Sequence, residues 1–90
     1  MEKIICRATA GTLESSDVFV TLEPCESGLE INIDSVVKNQ YGDAIRAAAE
    51  DVLRDLQVTH AKVSIVDRGA LDCVIRARVE TAVLRGKGEA

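Results

Sequence analysis

The chain has 90 residues, 47% of them hydrophobic and 29% charged, a composition that supports one globular domain over residues 1–90 with a modest core. A net charge of −4 and a pI near 4.9 argue against phosphate-backbone binding as the main business of the surface, so no nucleic-acid partner is expected. One Phe, one Tyr and no Trp require a core of Val, Ile, Leu and Ala and leave few stacking platforms for bases.

Residues 3–10 are β-branched and semi-alternating, which predicts a first strand with Ile4, Cys6, Ala8 and Ala10 on one face. Residues 11–17, Gly-Thr-Leu-Glu-Ser-Ser-Asp, are a polar turn, and residues 18–22 make a second strand with Val18, Val20 and Leu22 inward. The two strands and the turn form a hairpin whose tip presents hydroxyls. Pro24 and Gly28 end the second strand, and residues 29–34 alternate cleanly as a third.

Asp34 or Ser35 offers an N-cap for a long amphipathic helix over about residues 36–56, its stripe running through Val37, Tyr41, Ala44, Ile45, Ala48, Val52, Leu53 and Leu56. Gly42 is a costly interior residue there or else marks a close contact or a kink, and Lys38, Arg46, Glu50, Asp51, Arg54 and Asp55 read mostly as its solvated face. Residues 61–66 form a fourth strand. The turn Asp67-Arg68-Gly69 leads into a second helix with Leu71, Val74, Ile75, Val79, Ala82 and Val83 as its stripe. Gly86 or Gly88 ends that helix, and residues 86–90 read as a frayed tail. The order β-β-β-α-β-α predicts an α+β fold of two layers, a four-stranded mixed or antiparallel sheet with both helices on one face. Strand order does not follow from the pattern.

Cys6, Cys25 and Cys73 are widely spaced and odd in number, with one His in the chain, which makes no zinc site. Cys6 and Cys73 are expected as small core residues and Cys25 as a loop thiol. With no apolar run near the ~20 residues of a membrane span and an amino terminus running straight into structure, a cytoplasmic protein without membrane contact is expected. His60 has no nucleophile near it in sequence and reads as a strand-entry residue. No phosphate-binding glycine loop is present, and acid pairs such as Glu14 with Asp17 are expected by chance among 15 acidic residues. The sequence thus supplies no self-sufficient catalytic constellation. A serine on an exposed tip with no base beside it is a poor nucleophile and a good acceptor of a phosphodiester.

The string A-G-T-L-E-S-S-D-V at residues 10–18 resembles a signature of the acyl carrier subunit, the gamma chain, of bacterial citrate lyase. The string D-R-G-A-L-D-C-V-I-R-A-R at residues 67–78 is similar to that family's other signature, and Y-G-D-A-I-R at residues 41–46 fits its long helix. The resemblance implies a non-catalytic carrier that holds 2'-(5''-phosphoribosyl)-3'-dephospho-CoA through a phosphodiester on the serine after Leu-Glu, which is Ser15. It also implies that position 16 takes Ser or Gly, which makes Ser16 the lesser candidate. The arm ends in a thiol that holds acetyl and citryl thioesters during citrate cleavage to oxaloacetate and acetate. The implied partners are the alpha (acyl transferase) and beta (lyase) subunits and a prosthetic-group transferase. Glu14 and Asp17 are expected as charged surroundings that repel an anionic arm and attract basic partner rims. For Arg76 and Arg78 a structural role is favoured over partner docking. Two other readings stand beside this one: the carrier of malonate decarboxylase, which the Glu-Ser-Ser-Asp tip disfavours, and an unmodified protein-binding adaptor.

Overall fold

Period-two alternation places every second strand residue on one face, and the 3.6-residue repeat gives each helix one apolar side. The structure is a computed structural model that describes residues 3–35 and 38–88, with only the backbone described at 38–41. The elements are β1 (Ala8–Gly11), β2 (Val18–Pro24), β3 (Leu29–Ser35), α1 (Lys38–Asp55), β4 (Ala61–Asp67) and α2 (Asp72–Gly86). This is the expected α+β order, and the strands form one mixed sheet in the order β1-β2-β4-β3. β1 and β2 are an antiparallel hairpin, β2 is antiparallel to β4, and β3 is parallel to β4. A parallel pair needs a crossover connection, and α1 provides it.

β4 is paired along its length on both sides, from Ala61 opposite Pro24 and Leu29 to Asp67 opposite Val18 and Ser35. The C-terminal end of β4 therefore lies beside the start of β2, where the hairpin loop ends. Val18, Val20 and Leu22 of β2 and Ala61, Val63 and Ile65 of β4 are buried on the helix side. The alternate residues Phe19, Thr21, Ser64 and Val66 are half-buried on the open side. α2 packs on β1 and β2, α1 packs on β3, and the helices touch each other. Leu22, Leu53 and Ile65 are among the largest fully buried side chains, each worth roughly 1.5–3 kcal/mol of transfer free energy.

Several details depart from the sequence pattern. Residues 3–7 alternate but do not join the sheet: the ladder begins at Ala8 opposite Leu22, and the N–H groups of Ile5 and Cys6 donate instead to the Gly86 carbonyl at the end of α2. Ile4 still reaches the core, whereas Cys6 is exposed with its thiol near the Arg85 and Gly86 carbonyls. Cys73, also expected inside, is exposed on α2, and Cys25 is half-buried with its Sγ 3.2 Å from Ser27 Oγ. On α1 Ala44 is exposed and Ala49 buried, so the stripe runs through Ile45, Ala48, Ala49 and Leu53. Gly42 lies within the unbroken helix. Asp34 and Ser35 close β3, and Val36 and Val37, where the cap of α1 would be read, fall outside the described residues. Leu71, expected in the stripe of α2, is its exposed N-cap residue. Gly86 is no frayed residue. It is buried so closely that an added Cβ would stand 2.7 Å from Leu22 Cδ2, and Lys87 and Gly88 continue the turn with N–H bonds to the Val83 and Arg85 carbonyls.

Candidate functional site

The loop between β1 and β2 begins with a backbone constraint. Gly11 has φ +91°, a conformation that L side chains rarely adopt, and an added Cβ would lie 1.8 Å from the Val18 carbonyl oxygen. The strands thus close together at the loop's base. Beyond them the Asp17 N–H donates to the Glu14 carbonyl at 3.1 Å, forming a four-residue turn with Ser15 and Ser16 at its centre. Ser16 has φ +66° at the third position of that turn, where a type II geometry favours glycine.

Asp17 organises the loop from within. Thr12 Oγ1 donates to its Oδ2 at 2.6 Å, and the Val18 N–H donates to its Oδ1 at 2.7 Å. The guanidinium of Arg78, 61 residues away on α2, donates to both oxygens, Nε at 3.2 Å and a terminal nitrogen at 3.1 Å. Thr12 Oγ1 in turn accepts the Glu14 N–H. These bonds, first that from Thr12, then that from the Val18 amide and then those from Arg78, hold the Asp17 carboxyl down to about 2 against the partial burial that opposes them. Asp17 is therefore directed into the domain and is not a free surface charge. Glu14 stands exposed at the tip.

The second motif forms the pedestal for this loop. The Ser16 N–H donates to the Arg68 carbonyl at 2.8 Å, and the Arg68 N–H donates to the Asp17 carbonyl at 2.9 Å, so the β2–β4 ladder is carried one step past Val18 opposite Asp67. Asp67 is 1% exposed, the buried charged residue of the described chain. Its carboxylate accepts from Ser35 Oγ at 2.8 Å and from the Ala70 N–H at 2.9 Å, which fixes the turn after β4. Sequence reasoning assigned Asp67 to a plain turn. The signal that would have found it is the inward phase of Ala61, Val63 and Ile65, which continues to position 67.

The result is a rigid frame with an open tip. Leu13, Glu14, Ser15 and Ser16 are all exposed, and the Ser15 hydroxyl makes no hydrogen bond among the described residues. Every restraint falls on the backbone or on neighbouring side chains. Arg76, the other arginine singled out from sequence, is held elsewhere: it donates to Asp72 at 2.7 Å and to Asp51 at 3.1 Å, bridging α2 to α1. Asp51 also accepts from Arg54, and Arg76 ahead of Arg54 lowers its pKa. His60 sits exposed at the opposite end of β4, its ring Nδ1 2.9 Å from Thr59 Oγ1. It has no place in the serine site.

Comparison of sequence and fold sets the chain among known proteins. A family model described as "Malonate decarboxylase delta subunit (MdcD)", under the heading ACP, matches residues 6–86. The citrate lyase acyl carrier protein of Vibrio cholerae is 54% identical over 84 residues, covering 92% of this chain and 86% of that protein. That of Latilactobacillus sakei is 51% identical over 82 residues, covering 91% and 81%. The chain belongs to the citrate lyase acyl carrier family. Another carrier of that name, from Rhodopseudomonas palustris, is 51% identical over 97% of this chain. The carrier fold also aligns, at a TM-score of 0.78 and 27% identity, with a chain in the crystal structure of a Pseudomonas malonate decarboxylase hetero-tetramer in complex with malonate, covering 96% of this chain and 92% of that one. None of the described helices is long and apolar enough to cross a membrane.

Proposed function

We propose that this chain is the acyl carrier subunit of a citrate lyase complex, with Ser15 as the residue that holds its prosthetic group. The observation that carries the proposal is the exposed, unbonded Ser15 hydroxyl on a loop whose backbone is fixed by Thr12, Asp17 and Arg78. The residues present fit a covalent phosphodiester arm, since Ser15 is exposed at the centre of the loop's turn and the exposed carboxylate beside it, Glu14, disfavours collapse of an anionic arm onto the carrier. Ser16 fits less well because its backbone donates to Arg68 and its φ is held positive. When bound, 2'-(5''-phosphoribosyl)-3'-dephospho-CoA supplies a terminal thiol that holds acyl groups as thioesters.

The carrier's own residues do no bond chemistry on the acyl group. Their work is tethering. A fixed anchor and a long arm convert substrate capture at each partner active site into an intramolecular event at high effective concentration, and a protruding rigid anchor leaves the arm's sweep unobstructed. The partners in this reading are the alpha and beta subunits of citrate lyase and the transferase that attaches the arm.

The test is the intact mass of protein made in a host that synthesises the cofactor, followed by peptide mapping. The expected result is one prosthetic group on Ser15. An unmodified chain would refute the carrier assignment, and a label on Ser16 would move the site. The carrier of malonate decarboxylase is the second reading, favoured by the description of the family model and by the fold match. Identity of 50–54% to citrate lyase carriers against 27% to the malonate decarboxylase chain favours the first. Reconstitution with each set of partner subunits decides between them.

A further inference from the structure

The loading of Ser15 places a demand on the surface around it, and the footprint inferred from that demand rests on the assignment of Ser15 as the attachment point. Loading joins Ser15 Oγ to a phosphorus of an activated coenzyme A derivative. The bond from that phosphorus to the leaving phosphate group breaks, and the Oγ proton passes to a base. The carrier offers no base in position: the hydroxyl has no hydrogen-bond partner among the described residues, and Asp17 is committed to Thr12, Val18 and Arg78. The loading enzyme supplies it and must bring the donor phosphorus to about 3–3.5 Å from Oγ. Enzymes that act at the arm's far end need no such approach. The ground immediately around Ser15 is thus the footprint of the loading enzyme.

Exposed large hydrophobic side chains mark that ground. Those exposed among the described residues are Ile5, Leu13, Leu29 and Leu71, and two of them stand at the serine end. Leu13, 56% exposed, is two residues before Ser15. Leu71, 70% exposed, caps α2 three residues after Arg68, whose carbonyl accepts the Ser16 N–H at 2.8 Å. Three residues span at most about 10 Å, which keeps the Leu71 backbone within about 15 Å of Ser16. A standard half-interface of about 800 Å² is a disc of roughly 32 Å diameter, wide enough to cover Ser15, Leu13 and Leu71 together. Neither belongs to the core cluster. Glu14 lies exposed between Leu13 and Ser15, while Asp72 beside Leu71 is paired with Arg76.

We propose that Leu13 and Leu71 are the apolar anchors by which the Ser15-loading transferase grips the carrier, in a cleft of that enzyme rimmed by basic side chains that face Glu14. Burying an exposed apolar side chain in a partner's cleft removes its surface from water and favours the complex. Leu13 and Leu71 therefore set the transferase's choice of substrate, and the buried residues of the domain do not.

The experiment loads the full chain with the purified cognate transferase and the activated coenzyme A derivative, reading intact mass against time. Variants are Leu13→Ser, Leu71→Ser and the pair, with Ile5→Ser and Leu29→Ser as exposed hydrophobics outside the footprint. The pair is expected to raise KM for the carrier by about tenfold or more, with kcat at saturating carrier within about twofold of wild type. The two control variants should load as wild type; they and Leu13→Ser should melt close to the parent because the altered side chains are exposed, and the variants with Leu71→Ser, which sets a favoured capping residue before α2, should melt at or above it. Loading of the double variant at the parental KM would overturn the proposal, as would an equal rise in KM for Ile5→Ser or Leu29→Ser. Peptide mapping of loaded wild type reads the underlying assignment separately: a label away from Ser15 overturns that assignment and this proposal with it, whereas a label on Ser15 with unaffected leucine variants overturns this proposal alone.

Discussion

Gly11 and Gly69 permit a controlled test of how tightly the serine loop is closed at its base. Both have φ +91°, so alanine at either position meets a positive φ that L side chains rarely adopt. Their surroundings differ. At Gly69 an added Cβ meets nothing within 4 Å, and at Gly11 it would stand 1.8 Å from the Val18 carbonyl oxygen. Gly69→Ala should cost about 1–2 kcal/mol from left-handed strain alone. Gly11→Ala carries strain of that kind and must also move Gly11 from Val18 by more than about 1 Å, which opens the terminal Gly11–Phe19 pair and adds roughly 2–3 kcal/mol in lost hydrogen bonding and packing. An unfolding entropy of about 2.1 cal/mol/K per residue makes each kcal/mol worth about 5 °C in a domain of this length. Thermal denaturation followed by circular dichroism should therefore show Tm falling by about 5–10 °C for Gly69→Ala and by about 15–25 °C for Gly11→Ala. Equal losses for the two variants would refute the close approach at the loop's base and with it the reading of the loop as a rigid frame.

Two further predictions concern the loop itself. The Asp17 carboxyl is held at about 2 in the folded chain, below the value of about 3.9 of an unperturbed aspartate. Its contribution to stability is therefore complete above about pH 4 and is lost as pH falls toward 2. The Tm gap between wild type and Asp17→Asn should be constant from pH 7 to about 5 and shrink as pH falls from about 4; a gap unchanged at pH 2.5 would show that the Thr12, Val18 and Arg78 bonds do not distinguish the charged form. Ser16→Gly removes a positive-φ strain of about 1 kcal/mol, so it should raise Tm by a few degrees and leave mass loading at Ser15 unchanged. Loss of loading in that variant would place the attachment at Ser16.

The strands, the helices and their order were legible because their cause is local. Alternation in residues 18–22 and 61–66 and the helical repeat around Ile45, Ala48 and Leu53 each reflect which side of an element meets the core. Local pattern misled where a segment's backbone partners are distant. Residues 3–7 alternate as a strand does, yet the Ile5 and Cys6 amides bond to Gly86, some eighty residues on, and Cys6 turns outward. The site divides in the same way. The resemblance singled out Ser15, and the hairpin tip followed from the flanking strands, but the Arg78 to Asp17 clasp joins positions 61 residues apart and has no short-range signature. Asp67 was hidden for another reason. A carboxylate at the end of a strand reads as a turn residue until its inward phase is weighed, and its burial is sustained by Ser35 and Ala70.

The strand order β1-β2-β4-β3 carries a consequence for synthesis. The hairpin that bears Ser15 is complete once residue 24 has formed, but β4, the Arg68 carbonyl and the Arg78 guanidinium all come from the last third of the chain. A nascent chain that has emerged only as far as Thr59 has its serine and lacks the pedestal. Because domains order their long-range contacts late, the clasped loop is a mark of a finished chain. An enzyme that required the clasped loop and Leu71 together, as proposed above, would read completion of the chain as well as its sequence.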